Sequence, residues 1–179
     1  FSLHLRGYIP PAHVLLAMVD GDTFRRIMGN FATGCTVLTL PGTEPHGMTA
    51  NAVSSVSLDP PLCLVCVDHE TECYERLSGG TDAYCLNILA EGQRDLGEFF
   101  ADMIELDEDP FESRPVRTEA TGAPVFENSL AYLDCSVEAA HEAGDHTIYV
   151  GRVEAGDVLD GDGDPLLFFR GEWDAVAES

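Results

Sequence analysis

The chain of 179 residues has no lysine. All nine basic residues are arginines, and they face 32 aspartates and glutamates, a formal net charge of -23. An excess of that size repels phosphate backbones and anionic headgroups, so nucleic acid and membrane surfaces are excluded as partners. No apolar run approaches the length that crosses a bilayer. There is no G-x-G-x-x-G and no G-x-x-x-x-G-K-[ST], which excludes the Rossmann and P-loop ways of cradling a phosphate. Metal-ligand spacings are missing too. Cys63-x-x-Cys66 is half of a zinc ribbon without its second half, and "GDGDP" lacks the closing Glu of a calcium loop. His4, His13, His69 and His141 show no ligand spacing and carry no expected role; His46 stands just before a candidate loop. Internal repeats and linkers are absent as well.

What is present fits one globular domain. Hydrophobic residues make up 45%, ordinary for a folded chain with a real core. The acids are dispersed, not gathered in a tail. A dispersed acidic surface without lysine resembles the proteins of extreme halophiles, so a cytoplasm of high salt is the expected compartment, with salt screening the self-repulsion. Five of six cysteines (Cys35, Cys63, Cys66, Cys85 and Cys135) lie in apolar runs as small hydrophobes, consistent with a reduced cytoplasmic protein. Residues 1–17 contain no acid and differ from the rest. Met18 opens a segment that reads as a natural start, so 1–17 is expected to be an extension or a mis-assigned start, and 18–179 a single domain. Pro10, Pro11 and His13 break the only apolar stretch there, against a signal peptide.

The periodicities predict a mainly β fold. "DTFRRIMGNFA" places Phe24, Ile27, Met28 and Phe31 on one helical face, with Asp22 as N-cap and Gly34 beyond its end. "CTVLTL", "LCLVCVD", "AYCLNIL", "LAYLDCSVEAA", "HTIYVGRVEAG" and "PLLFFRGEW" read as strands. "TECYERL", capped by Thr71, and "EGQRDLGEFFADM" read as helices, and residues 105–124 as a long acidic surface loop. Short links and antiparallel spacing predict a closed or nearly closed six-stranded antiparallel barrel with flanking helices.

One stretch does not suit a core. "HGMTANAVSSVSLDPP", residues 46–61, offers few large side chains. A strand of small residues lets a flat ligand approach the backbone, whose N–H and C=O groups then serve as partners. Thr49, Asn51, Ser54 and Ser55 add side-chain donors. A flavin suits this pattern; a Ser-rich edge strand facing solvent suits it equally. Two further places put polar groups in strand contexts: Asp145-His146 at a strand start, and Arg170 and Glu172 around Gly171.

The ordered segments "FRRIMGNFATGCTVLT", "GMTANAVSSVSLDPPLCLVCVD", "CLNIL" with a glutamine six residues after Asn87, "SLAYLDCSV", "GDHTIYVGRV" and "PLLFFRGEW" together resemble the short-chain flavin reductases. These have a flavin-binding split barrel and serve as reductase components of two-component flavin monooxygenases. The resemblance runs from Phe24 to about Trp173. It implies a six-stranded split β-barrel that binds FMN or FAD and takes NADH or NADPH as co-substrate. Gly47, Met48, Thr49, Ala50, Asn51 and Ala52 would line the isoalloxazine. Ser54 and Ser55 would lie near it or its ribityl chain, and Cys66, Val67 and Asp68 would contact ring or ribityl. Thr71 and Cys73 would approach the phosphate at a short helix start, where backbone N–H groups favour an anion. Phe99 and Phe100 would cover the flavin. His146, beside Asp145, would position the nicotinamide with a polar or proton-transfer role, and Arg170, Gly171 and Glu172 would contact the dinucleotide. "HETEC" departs from relatives that carry Ser, Arg or Lys there, since Glu70 and Glu72 disfavour a phosphate.

By the same resemblance, hydride passes from NAD(P)H to flavin, a homodimer forms, and reduced flavin goes to a monooxygenase. A flavin-binding electron-transfer or carrier protein without its own NAD(P)H site is the rival reading. An oxidase resembling the pyridoxamine phosphate oxidases would want a basic cluster, and the sequence shows none beyond Arg25-Arg26. A heme-binding split barrel would want an axial histidine, and none stands out.

Overall fold

The computed structural model describes residues 19–176, and the expectations for residues 1–18 lie outside it. The first helix, α1 (Gly21–Met28), is capped by Asp20, whose side chain accepts from the Thr23 N–H at 2.7 Å. The cap is therefore two residues earlier than Asp22, and the helix stops a turn short of Phe31. The apolar period is real, yet Phe24 and Phe31 are 58% and 68% exposed, and no residue of α1 is buried.

Twelve strands follow in three sheets. The strands are β1 (Thr33–Gly34), β2 (Thr36–Leu40), β3 (His46–Ala50), β4 (Val53–Leu58), β5 (Pro61–Asp68) and β6 (Ala83–Ile88). After them come β7 (Val116–Thr118), β8 (Pro124–Phe126), β9 (Ala131–Ala143), β10 (His146–Val158), β11 (Leu167–Phe169) and β12 (Glu172–Asp174). The helices after α1 are α2 (Glu72–Ser78), a 3-10 turn (Glu91–Gln93), α3 (Arg94–Phe99) and α4 (Pro110–Ser113).

The main sheet has seven antiparallel strands in the order β3-β2-β6-β9-β10-β5-β4. This corrects the expected closed six-stranded barrel: β3 and β4 end the order and share no ladder. They are nonetheless consecutive in the chain, joined by Asn51 and Ala52 alone. Three backbone steps span at most about 10 Å. The two ends of the sheet must therefore lie close, so the strip curls round on itself. The Cys66 N–H donates to the Ala52 carbonyl at 3.0 Å at that corner.

The curl explains why β2 and β6 are buried on both faces. Leu38, Leu40, Tyr84 and Leu86 point inward with Val65, Val67 and Cys135, while Val37 faces outward with Leu96, Phe100 and Phe126. A continuous apolar run is the sequence pattern such two-sided burial requires. The inside is tight. A Cβ on Gly151 would stand 2.3 Å from the Tyr84 hydroxyl.

Three sequence expectations change here. Residues 105–124 are not a plain loop: α4 and the β7–β8 pair lie there, and Phe111 stacks on Phe126 with ring centroids 5.5 Å apart. "PLLFFRGEW" is a hairpin, not one strand. Arg170 and Gly171 both take positive φ (54° and 83°) at its turn, the backbone of a type I′ connection. The predicted helix 91–103 breaks after Phe99, and Met103 is exposed.

Asn87 and Gln93, two residues of the matching pattern, are structural. The buried Asn87 amide donates to the Val37 and Pro124 carbonyls at 3.2 and 3.3 Å, and its oxygen accepts from the Phe126 N–H at 2.8 Å. Gln93 accepts from the Ala90 N–H at 3.0 Å. Replacing Asn87 by alanine leaves the buried Phe126 N–H without its acceptor, while the Pro124 carbonyl keeps the Thr39 hydroxyl at 2.6 Å. We expect a stability loss of about 1–3 kcal/mol, the cost of one orphaned buried group, read from the urea midpoint at an unchanged slope.

Candidate functional site

The corner where the sheet folds back is a groove. Its middle is a cavity of about 350 Å³ lined by Met48, Thr49, Asn51, Cys66, Asp68 and His146, with Thr71, Ala101 and Asp102 at its sides. A wider cavity of about 510 Å³ continues past Met48 and Phe100 to His46, Phe99, Phe111 and Ile104. A smaller one of about 140 Å³ leaves the middle at Thr49 and Asn51 and ends on Phe168 and Trp173. The β3–β4 link, β5, the start of α2, the end of α3, the start of β10 and the β11–β12 hairpin thus converge on one place.

Several expected contacts are brought together, and several change character. Gly47 is buried, and its missing Cβ serves Phe100: an added Cβ would sit 2.7 Å from that ring. The small residue seats a wall of the groove and does not itself open space for a ring. Ala50 is buried in the inner core. The Thr49 hydroxyl donates to the Gly97 carbonyl at 2.6 Å, and its N–H goes to the Phe100 carbonyl at 2.9 Å, so both donors are spent docking β3 on the end of α3. Asn51 and Ala52 are exposed, and the Asn51 amide has no partner among the described residues. Ser54 and Ser55 are exposed on the edge strand β4, and the Ser54 hydroxyl donates to the Ser55 carbonyl. Neither serine lines these cavities.

Alternation divides the next strand. Cys66 and Asp68 line the groove, whereas the Val67 side chain is fully buried on the other face. Cys73 is corrected likewise. It is fully buried in the inner core, where desolvation pushes its thiol up to about 12, so only its backbone can face a ligand. The Thr71 hydroxyl is committed twice, donating to the Asp68 carbonyl at 2.7 Å and accepting from the Tyr74 N–H at 3.2 Å. Glu72 is partly neutralised, since Arg76 reaches its carboxylate at 2.6 Å. That hydrogen bond, before the nearby His46, holds the carboxyl below its ordinary range. Glu70, Asp102, Glu105 and Asp109 remain around the wide cavity. Phe99 is half-buried in its wall, and Phe100 is a buried wedge between Gly47, Phe111 and Phe126.

His146 opens β10 opposite Asp68. Its Nδ1 lies 2.8 Å from Asp145 Oδ1, and this hydrogen bond is the main reason the Asp145 carboxyl is held below its usual range. With Nδ1–H given to Asp145, the neutral ring keeps Nε2 as an acceptor. His69 is structural: its Nε2 meets the Thr147 hydroxyl at 2.9 Å, and its ring stacks on Tyr74. Arg170 and Gly171 line a separate cavity with α1, not this groove.

Sequence reasoning missed Ala101, Asp102, Phe168 and Trp173. The last carried a signal as the single tryptophan. Its place depends on Gly97, where an added Cβ would stand 3.0 Å from the indole. The indole N–H is buried without a partner among the described residues. None of the described residues form a cluster able to hold a metal ion.

A flat ligand with a polar edge fits this set: exposed backbone and amide at Asn51–Ala52, an apolar wall, and an aligned imidazole. The sequence model described as "Flavin reductase like domain" matches residues 28–177. The chain is 40% identical over 155 residues to an NADH-dependent FAD reductase of Streptomyces globisporus, covering 80% of this chain and 79% of that one. It is 34% identical over 162 residues to the reductase subunit HsaB of a flavin-dependent monooxygenase of Mycobacterium tuberculosis, covering 89% and 84%. Among solved structures, the NADH:FAD oxidoreductase SgcE6 of Streptomyces globisporus, in complex with NAD and FAD fragments, superposes with a TM-score of 0.79. Its sequence identity is 34%, and coverage is 89% of this chain and 96% of that one.

Proposed function

Because the chain belongs to the flavin reductase like family, we propose that it is an NAD(P)H-dependent flavin reductase that supplies reduced flavin to a monooxygenase partner. The observation that carries the reading is the groove in which Asn51, Cys66, Asp68 and His146 meet around a single cavity. A bound flavin supplies the ring that takes up hydride from reduced nicotinamide. The protein's part is alignment and electrostatics. The Asn51 amide and the backbone N–H groups of the β3–β4 link are placed to hydrogen-bond the polar edge of a flat ring and to steady the negative charge that grows there. Phe100, wedged under Gly47, keeps water from one wall. His146, fixed by Asp145, offers Nε2 to the N–H of a nicotinamide carboxamide and so orients the ring that gives up hydride. At the phosphate end the backbone N–H groups of Glu72 and Cys73 are the donors on offer. The curled seven-stranded sheet is read as the split barrel of this family, and the bare apolar face of α1 as the surface a second copy covers in a homodimer.

The test is an anaerobic titration in molar KCl: add flavin, then NADH, and follow the flavin absorbance. Bleaching on addition of NADH is expected. Flavin binding without bleaching by NADH or NADPH would leave the carrier reading. In His146→Ala, the loss of one aligned hydrogen bond of about 1.4 kcal/mol lowers the reduction rate about tenfold, with flavin affinity unchanged by fluorescence titration. An unchanged rate would remove His146 from the nicotinamide site.

A further inference from the structure

Two cavities adjoin the middle of the groove, where a flat ring has room. The small one of about 140 Å³ ends on Phe168 and Trp173. The wide one of about 510 Å³ shares Met48, Thr71, Phe100 and Asp102 with the middle. Of the two, the wide one has the space for a long polar tail hung from the ring. Its lining carries five carboxylates: Glu70, Glu72, Asp102, Glu105 and Asp109. No arginine is part of that lining.

The cations nearby are already spent. Two nitrogens of Arg76 go to Glu72, at 2.9 and 2.6 Å, and the third goes to the Glu44 carbonyl at 2.6 Å. His46 lines the cavity, but burial, ahead of the opposing pull of Glu72, holds its imidazole below the ordinary range, so near neutral pH it brings no charge. Among the described residues, Glu70, Asp102 and Glu105 stand in no ion pair. Helix α2 is seven residues long, and its first turn carries Glu72 and Glu75, which offset its weak positive end. Asp102 is set at the shared wall by the backbone. It follows α3 with φ 55°, a conformation in which helix ends usually carry glycine, and the Met103 N–H donates back to the Glu98 carbonyl at 2.9 Å. A carboxylate thus stands where a helix end ordinarily has no side chain.

Such a lining sorts flavins by their tails. The ribityl hydroxyls of a flavin donate well to carboxylates. A phosphate offers few or no donors near neutral pH and sets about two negative charges against them. Glu70, Asp102 and Glu105 are exposed, so dissolved cations screen that repulsion. We propose that the wide cavity discriminates flavins by charge: riboflavin binds whatever the salt concentration, whereas FMN and FAD match it only when cations screen the carboxylates. That the ligand is a flavin rests on the flavin reductase reading; the exclusion of phosphate at low salt does not require NADH to be oxidised.

Fluorescence titrations of the intact protein with riboflavin and with FMN, in about 0.1 M and about 1 M KCl and below the melting transition at both, test it. At the lower salt FMN should bind roughly tenfold more weakly than riboflavin, and at the higher salt within about twofold of it, as exposed charges behave under the two Debye lengths. The triple variant Glu70→Gln, Asp102→Asn, Glu105→Gln should recover most of that tenfold for FMN at low salt without raising riboflavin affinity. Asparagine tolerates a left-handed backbone as aspartate does, so the turn at 102 survives. A control triple, Asp82→Asn, Asp157→Asn, Asp162→Asn, removes as many charges at residues that line none of these three cavities and should leave the ratio as it was. FMN bound as tightly as riboflavin at low salt, or a control that recovers FMN as well as the cavity variant does, overturns the proposal while the reductase reading stands. A riboflavin preference that vanishes with salt, with neither flavin bleached by NADH or NADPH, would sink the reductase reading and leave the charge selection.

Discussion

Gly47→Ala is expected to lose about 1–3 kcal/mol of stability, the usual cost of forcing an extra carbon into a packed wall. For a chain of this size that is a fall of about 2–4 °C in Tm per kcal/mol. An added Cβ would stand 2.7 and 2.9 Å from two atoms of the Phe100 ring. That ring is a rigid plate packed on Phe111 and Phe126, so it cannot bend away as a long side chain would. The backbone must move instead. Phe100 carries the carbonyl that receives the Thr49 N–H, and Ala101 and Asp102, which wall the middle cavity, follow it directly. Flavin affinity should therefore drop about tenfold or more, the effect of one misplaced hydrogen-bonding contact of about 1.4 kcal/mol. Calorimetric melting and flavin fluorescence titration read the two losses. A companion variant, Gly47→Ala with Phe100→Leu, should regain part of the melting temperature, because the smaller side chain makes room. Lost flavin binding at an unchanged Tm would show that Gly47 faces the ligand itself, as the sequence pattern first suggested.

Lowering the salt from molar KCl to about 0.1 M is expected to lower Tm by about 6–12 °C. The excess of 23 negative charges is the cause. Two like charges about 10 Å apart repel by about 0.4 kcal/mol in water. At 0.1 M the Debye length is about 10 Å and much of that repulsion survives, whereas at 1 M it is about 3 Å and little does. Summed over the excess, the difference is about 3 kcal/mol, and the temperature shift follows from the scaling for chains of this length. The ion pairs of Arg76, Arg94, Arg114, Arg117 and Arg152 oppose the trend only weakly, because they are exposed or half-buried. A Tm independent of KCl, or highest at low salt, would refute this account of the composition. Replacing KCl by an uncharged osmolyte separates screening from general stabilisation.

Much of the fold could be read before any coordinates. Alternation placed β9 and β10, apolar runs placed β5 and β6, and Thr71 capped its helix as expected. Those elements are governed by local rules: a period of two, a short apolar run between breakers, and a cap that needs an oxygen three residues before a free N–H. Residues 105–124 did not yield, because what orders them is contact with Phe126 and the β8 pair, both remote in sequence. The type I′ turn at Arg170 was hidden for a related reason, since an arginine at positive φ carries no turn signature.

The site divides in the same way. Residue types alone set the chemistry on offer: small residues at 47–55, a histidine beside an aspartate, an acidic surface without lysine. Folding then settled which of these face the groove. It turned Gly47 toward Phe100, Val67 and Cys73 into the core, and the Thr49 and Thr71 hydroxyls onto backbone carbonyls. It also brought Arg26 and Arg170 to one cavity across 144 residues of chain (170 minus 26). The reason is physical. A side chain's type is local, but its direction and its partner are set when the sheet curls far enough to carry β3 and β4, the two ends of one strip, to the same corner.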